Sequence, residues 1–172
     1  MIKVLLALTV LTAVMFGGDY EELEKNCNSK NATACKKMGD ICYRKVDFDN
    51  LKKDKNSISA FENDKNAILA LKYFSKACDE GDASGCHFSG DMYFGGYGTK
   101  NDKPMSVKFY IKACDGDDYQ GCNRLGMLYG YGMGVKRDML LSKEYHKKAI
   151  ETKDKACAEG DNFACVYRFM SL

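Results

Sequence analysis

Cys114-Asp115-Gly116-Asp117-Asp118-Tyr119-Gln120-Gly121-Cys122 places two cysteines eight positions apart. The spacing recurs at Cys27/Cys35, Cys78/Cys86 and Cys157/Cys165, so that of nine cysteines only Cys42 stands outside a pair. On one continuous helix the two Cα atoms would lie about 12 Å apart. A disulfide needs about 4.4–6.8 Å. Each pair is therefore either unbridged or spans a chain reversal. The residues between favour reversal: Asp79-Glu80-Gly81-Asp82, Asp115-Gly116-Asp117-Asp118 and Glu159-Gly160-Asp161-Asn162 are turn-rich. A helix ending near the first cysteine and another starting before the second would be stapled by the bridge. In the chain-entropy model each staple contributes about 2–3 kcal/mol.

The pairs are themselves repeated. Cys78 to Cys114 and Cys86 to Cys122 are both 36 residues, while Cys35 to Cys86 is 51 and Cys122 to Cys165 is 43. A period in the mid-thirties indicates stacked helical hairpins. After the second cysteine the sequence reads Cys122-x-x-Leu125-Gly126-x-x-Tyr129-x-x-Gly132-x-Gly134, and one period earlier Cys86-x-x-Ser89-Gly90-x-x-Tyr93-x-x-Gly96-x-Gly98. Offsets 0, 3, 4 and 7 share one helical face. A mid-helix glycine costs about 1 kcal/mol in propensity, which close approach of a neighbouring helix would offset. The glycine pair ends the helix. Asp102 and Asp138 follow as N-caps of the second helix, with Pro104 in its first turn and Asn66 as the expected cap in the first repeat.

The other intervals predict departures. Met139 to Cys157 is seven residues longer than its counterpart, nearly two helical turns, so an extended helix that keeps Cys157 on its face is expected. Residues 44–65 lack the glycine loop and are charged and Asn/Asp-rich, which predicts a long surface loop. The organisation expected is a signal peptide over 1–18 and one repeat domain over 19–172. The latter comprises a capping helix at 19–27, repeats at 31–78, 82–114 and 118–157, and a terminal helix at 162–171. There Phe169 takes the glycine slot.

Lys3 followed by an apolar run from Val4 to Phe16 reads as a secretory signal, too short for a membrane span. Its retention as an inner-membrane anchor would instead suggest a regulatory partner-binding role. Paired cysteines behind a signal fit a periplasmic or secreted protein. The compartment and the C-x7-C spacing favour disulfides over zinc, whose cysteines usually come as C-x2–4-C. Cys42 replaces Tyr93 and Tyr129 of the other repeats and reads as a buried thiol. The two tyrosines sit at core spacing. The net charge of +2 points away from nucleic acid.

The period, Leu125-Gly126-x-x-Tyr129 and the Gly132-x-Gly134 loop resemble Sel1-like repeats, relatives of the tetratricopeptide repeat. With the C-x7-C pairs and Lys112-Ala113-Cys114-Asp115, the sequence resembles the Helicobacter cysteine-rich protein family from about residue 27 to 172. Ser89 stands where that pattern expects Leu. The resemblance implies an all-α, right-handed α/α solenoid with four disulfides. It also implies two functions: a scaffold holding a ligand in a concave groove, or penicillin binding with slow β-lactamase activity.

No serine has a lysine three residues on, and no Lys-Thr-Gly is present, so the serine β-lactamase signature is missing. Two histidines, His87 and His146, fall in different repeats, short of a zinc-hydrolase ligand set. The glycine loops lie between helices, the wrong context for phosphate. No cofactor or metal is expected. By analogy with tetratricopeptide arrays, positions −2, +1, +5 and +8 from the second cysteine line the concave side. They are Thr33, Lys36, Asp40 and Tyr43, then Ser84, His87, Asp91 and Phe94, then Gln120, Asn123 and Met127. This mixture suits a peptide, a cell-wall-type ligand or a host protein, with β-lactams entering only through the resemblance. A monomer free of the membrane after signal cleavage is expected.

Overall fold

The computed structural model describes residues 19–49 and 57–166. All regular elements among them are helices: α1 (19–28), α2 (Ala32–Arg44), α3 (Ser57–Asn63), α4 (Lys65–Asp79), α5 (Ala83–Gly95), α6 (Lys103–Asp115), α7 (Tyr119–Tyr131), α8 (Met139–Ala158) and α9 (Asn162–Val166). The helix pairs α2/α4, α5/α6 and α7/α8 pack as hairpins, and α4/α5, α6/α7 and α8/α9 join one hairpin to the next. The result is an α/α solenoid.

Each stapled turn is built alike. Cys27–Cys35, Cys78–Cys86, Cys114–Cys122 and Cys157–Cys165 are disulfides with Cα separations of 4.5, 4.5, 4.6 and 4.8 Å. The chain reverses through one residue of positive φ: Lys30, Gly81, Asp117 and Gly160 in turn. An Asn or Asp then caps the next helix. Asn31, Asp82 and Asp118 accept from the backbone N–H three residues on, at 2.9, 2.7 and 2.7 Å. Such caps each stabilise by about 0.5–2 kcal/mol. Because the first cysteine of a pair closes one hairpin and the second opens the following one, the bridges fasten the seams between hairpins.

Asp102 and Asp138 cap α6 and α8 as the sequence predicts. In the first repeat the cap of α4 is Asp64, whose carboxylate accepts from Ala67 N–H at 2.8 Å, and not Asn66. Asn66 donates instead to the Lys45 carbonyl. α8 is continuous to Ala158, absorbing the seven extra residues as helix.

The mid-helix glycines have one explanation. A Cβ on Gly39, Gly90 or Gly126 would lie 2.5, 2.6 or 2.7 Å from a ring atom of Phe74, Tyr110 or His146 respectively. The second helix of each hairpin thus lays a ring flat on the first helix's glycine. Phe74 and Tyr110 sit four residues before the closing cysteine. His146 sits eleven before, the same place displaced by the seven-residue insertion.

The stretch 44–65 is not a loop throughout. It contains α3, and Val46 is buried. Phe48, Phe61 and Tyr97 form an aromatic trio with centroid distances of 6.0, 5.7 and 5.4 Å, joined by Tyr43 through Phe48 at 5.3 Å. The Gly98 N–H donates to the Phe61 carbonyl at 2.9 Å. Tertiary partners from the next repeat hold α3, which no local pattern announces. Cys42 is buried and unpaired. The signal segment, Phe169 and the end of the terminal helix lie outside the described residues.

Candidate functional site

α5, α7, α8 and α9 enclose an open cleft of about 850 Å³. Of the eleven concave positions expected from the sequence, His87, Asp91, Gln120 and Asn123 line it. Lys36 stands beside it, its ammonium 5.4 Å from the centroid of the cleft residue Phe88 and 2.9 Å from Asp40. The others lie elsewhere. Thr33 is exposed at the start of α2, and Ser84 is half-buried in the first turn of α5. Tyr43 packs on Phe48 and Phe74, Phe94 lies under Lys103, and Met127 faces a separate groove.

The cleft is organised around Asp91. Tyr110 donates its hydroxyl to one carboxylate oxygen at 2.6 Å, and Arg124 Nε approaches the same oxygen at 3.1 Å. His87 Nε2 lies 3.4 Å from the other oxygen, and His87 Nδ1 lies 3.9 Å from Asp118. These approaches are within ion-pair range but longer than a well-formed hydrogen bond, although the imidazole is buried. Burial alone would raise the Asp91 carboxyl. His87, Tyr110 and Arg124 outweigh it and hold the group below the usual carboxylate range. The same burial pushes Asp118 up, against the pull of His87 and the backbone N–H groups of its own cap. Asp91 also pushes the Tyr110 hydroxyl up, after burial itself.

On the opposite wall His146 Nδ1 lies 3.0 Å from Asn123 Oδ1, which orients both side chains. Lys153 and the largely exposed Ile150 and Phe163 complete that side. Among the described residues Lys153 has no ion-pair partner. The combination is a polar floor, two cations, and apolar surfaces from Phe88, Ile150 and Phe163. Periodicity found the α5 and α7 members because they repeat. Arg124 lies two residues after its cysteine, where the other repeats carry Lys37 and the cleft residue Phe88, and Phe163 takes the −2 slot of Ser84 and Gln120, whereas Lys153 falls in the inserted stretch of α8 and has no counterpart. His146 could have been found by carrying the ring position four before the cysteine through the seven-residue shift.

The structure's buried serines are used internally. Ser89 pairs with Ser75 at 3.3 Å, Ser106 donates to the Lys103 carbonyl and Ser142 to the Gly126 carbonyl. Among the described residues no group of three or more His, Cys, Asp or Glu is placed to hold a metal ion, and no helix is long and apolar enough to cross a membrane.

The Sel1 repeat family model matches residues 64–82, 83–118 and 120–151, about half of the chain and in register with the hairpins. The chain belongs to the Sel1 repeat family. A Sel1 repeat protein from Oxalobacter formigenes superposes with a TM-score of 0.59 at 21% identity, over 78% of this chain and 49% of that one. Helicobacter pylori cysteine-rich protein B is 31% identical over 72% of this chain and 98% of that one, with a TM-score of 0.41. A protective antigen of uropathogenic Escherichia coli with the same repeat fold is 24% identical over 85% of this chain and 34% of that one, with a TM-score of 0.49. This Sel1 repeat chain therefore spans about half the length of the Oxalobacter relative and a third of the Escherichia one. A search of curated protein sequences finds no match.

Proposed function

We propose that this Sel1 repeat protein is an extracytoplasmic binding scaffold that holds a peptide, a cell-wall-type ligand or a host protein segment in the α5/α7/α8/α9 cleft. The observation that carries the reading is His87: a buried imidazole in the cleft lining whose nitrogens have only long approaches to carboxylates, 3.4 Å to Asp91 and 3.9 Å to Asp118. Buried polar atoms are normally satisfied, and a ligand donor or acceptor reaching the ring would supply a closer partner. Lys153 and Arg124 offer charge to a carboxylate on the same ligand, and Phe88, Ile150 and Phe163 offer apolar contact. The four disulfides support a location outside the reducing cytoplasm and keep the cleft preformed.

The test titrates the oxidised chain, without residues 1–18, with a muramyl peptide and with a pool of synthetic peptides. Binding lost in both Asn123→Ala and Lys153→Glu supports the cleft. Binding unchanged in both variants places the ligand elsewhere. A chromogenic cephalosporin is run in parallel. Turnover above background that Asn123→Ala abolishes would replace the scaffold reading with β-lactam hydrolysis.

A further inference from the structure

A second groove, of about 460 Å³, lies between α7 and the start of α8. Its meaning comes from comparing the second and third hairpins at their common shift of 36 residues. The register is exact in the backbone. The Asp102 N–H donates to the Tyr93 carbonyl at 2.9 Å and the Asp138 N–H to the Tyr129 carbonyl at 2.9 Å. The stacked pair Tyr93–Phe109 at 5.3 Å recurs as Tyr129–Tyr145 at 5.5 Å. The Asn101 side chain bonds the Phe94 carbonyl, and Arg137 Nε donates to the Gly130 carbonyl at 3.0 Å.

Within this conserved frame three side chains change together. Phe94, whose ring packs on the core beneath the Lys103 ammonium at 6.0 Å, becomes Gly130. Lys103 becomes Met139, and Asp91 becomes Met127. The ring, its cation and the half-buried carboxylate are all gone, and the third hairpin has an open groove lined by their replacements. Tyr131 lines it and is 73% exposed, and Leu140, next in sequence to the lining Met139, is 74% exposed, where the second hairpin has Gly95 and Pro104. Exposed large apolar side chains gathered around a concavity mark an interaction surface. Methionine adapts its shape and makes favourable sulfur–ring contacts.

We propose that this groove docks an aromatic side chain of a partner protein, in the place where the second hairpin seats its own Phe94. Arg137 fixes the partner's charge. Among the described residues it has no carboxylate partner, donating only to the Gly130 carbonyl and towards Met139 Sδ at 3.7 Å. Lys136 precedes it. The partner segment therefore carries an acidic residue beside its aromatic one, since the guanidinium can meet a carboxylate with its remaining N–H groups. This surface is additional to the cleft and does not depend on the ligand proposed there.

The experiment follows the methyl signals of Met127 and Met139 by NMR in the oxidised chain, selectively labelled on methionine. Three blocked tetrapeptides are added at millimolar concentration: Gly-Asp-Phe-Gly, Gly-Asp-Ala-Gly and Gly-Lys-Phe-Gly. Gly-Asp-Phe-Gly is expected to shift both methyl signals, Gly-Asp-Ala-Gly neither, and Gly-Lys-Phe-Gly to bind several-fold more weakly. Gly130→Phe, which restores the ring of the second hairpin, is expected to abolish the shifts. Met139→Lys, a substitution at an exposed site, does the same without depending on a repacked helix. Lys153→Ala, in the other cleft, leaves them unchanged. Equal shifts with the alanine peptide, retention of binding in Met139→Lys, or loss in Lys153→Ala would overturn the proposal. So would silence with all three peptides, or a response to phosphatidylcholine vesicles in place of peptide.

Discussion

At Gly90 two residue-level effects oppose each other. Alanine is the better helix former by about 1 kcal/mol. Its Cβ would fall 2.6 Å from Cε1 of Tyr110, a ring that is 1% exposed and anchored to Asp91 through its hydroxyl. The ring cannot retreat without breaking that bond and disturbing the second core. Overpacking of this kind costs about 1–3 kcal/mol, so Gly90→Ala is expected to destabilise despite its propensity. Urea titration measures the loss, and Gly90→Ala combined with Tyr110→Leu should recover part of it. An alanine variant as stable as wild type would show that the glycine is not there for the ring. The sequence alone shows that a mid-helix glycine needs a close neighbour. It does not name the neighbour, because the ring comes from the following helix, and in the third hairpin the seven-residue insertion moves it from four to eleven positions before the cysteine. The cleft residues divide in the same way. His87, Asp91, Gln120 and Asn123 follow the repeat and are legible. Phe163, two before Cys165, follows the same rule in the last pair, while Lys153 belongs to the inserted stretch of α8 and becomes a neighbour only through the fold.

Among the elements, α3 departs furthest from its sequence reading. Its surroundings are charged, and among its described side chains the ring contacts come from the half-buried Phe61. What orders it is contact across repeats: Phe48 from the preceding segment and Tyr97 from the glycine loop of the next hairpin. That loop can approach because Gly98 has φ of +68°, and because a Cβ there would strike the Ala67 backbone at 2.4 Å. α3 is thus a packing element of the first seam, substituting for the glycine loop that the first repeat lacks. α8 is the opposite case, an insertion legible from length alone because seven residues nearly complete two helical turns. Phe61→Ala removes two ring contacts from a half-buried position. The expected loss is about 1–3 kcal/mol, below that of a fully buried phenylalanine. Hydrogen exchange should accelerate most at residues 57–63 and at the Gly98 amide. Acceleration spread evenly over the chain would mean that α3 is not a separate packing unit.

Across the whole molecule the apolar interior is divided. One core gathers α2, α4 and part of α5 around Phe74, and a second gathers α6, α7 and α8 around Tyr110 and Leu125. Between them lies a small cluster of Cys78, Cys86 and Ala113, with Phe109 against it. A linear array is stable through each unit and through its contacts with the next, so a weakened seam lets the two sides unfold separately. The bridge at this seam is Cys78–Cys86. In the chain-entropy model, replacing both cysteines by alanine costs about 2–3 kcal/mol, and the Cys157–Cys165 bridge closes a loop of the same size. The two losses should nevertheless differ in kind. Without Cys157–Cys165 the short helix α9 loosens at the end of the array, Phe163 leaves the cleft wall, and both cores still melt together. Without Cys78–Cys86 the seam between the cores loses its cross-link, and the urea transition should broaden into two steps with a smaller apparent m-value. Circular dichroism and tyrosine fluorescence, followed together in a chain with eleven tyrosines and no tryptophan, would then give non-coincident curves. A single coincident transition with unchanged slope in Cys78→Ala/Cys86→Ala would show that packing alone couples the cores. The disulfides would then set only the height of the stability, not the rigidity that keeps the cleft and the groove in fixed relation.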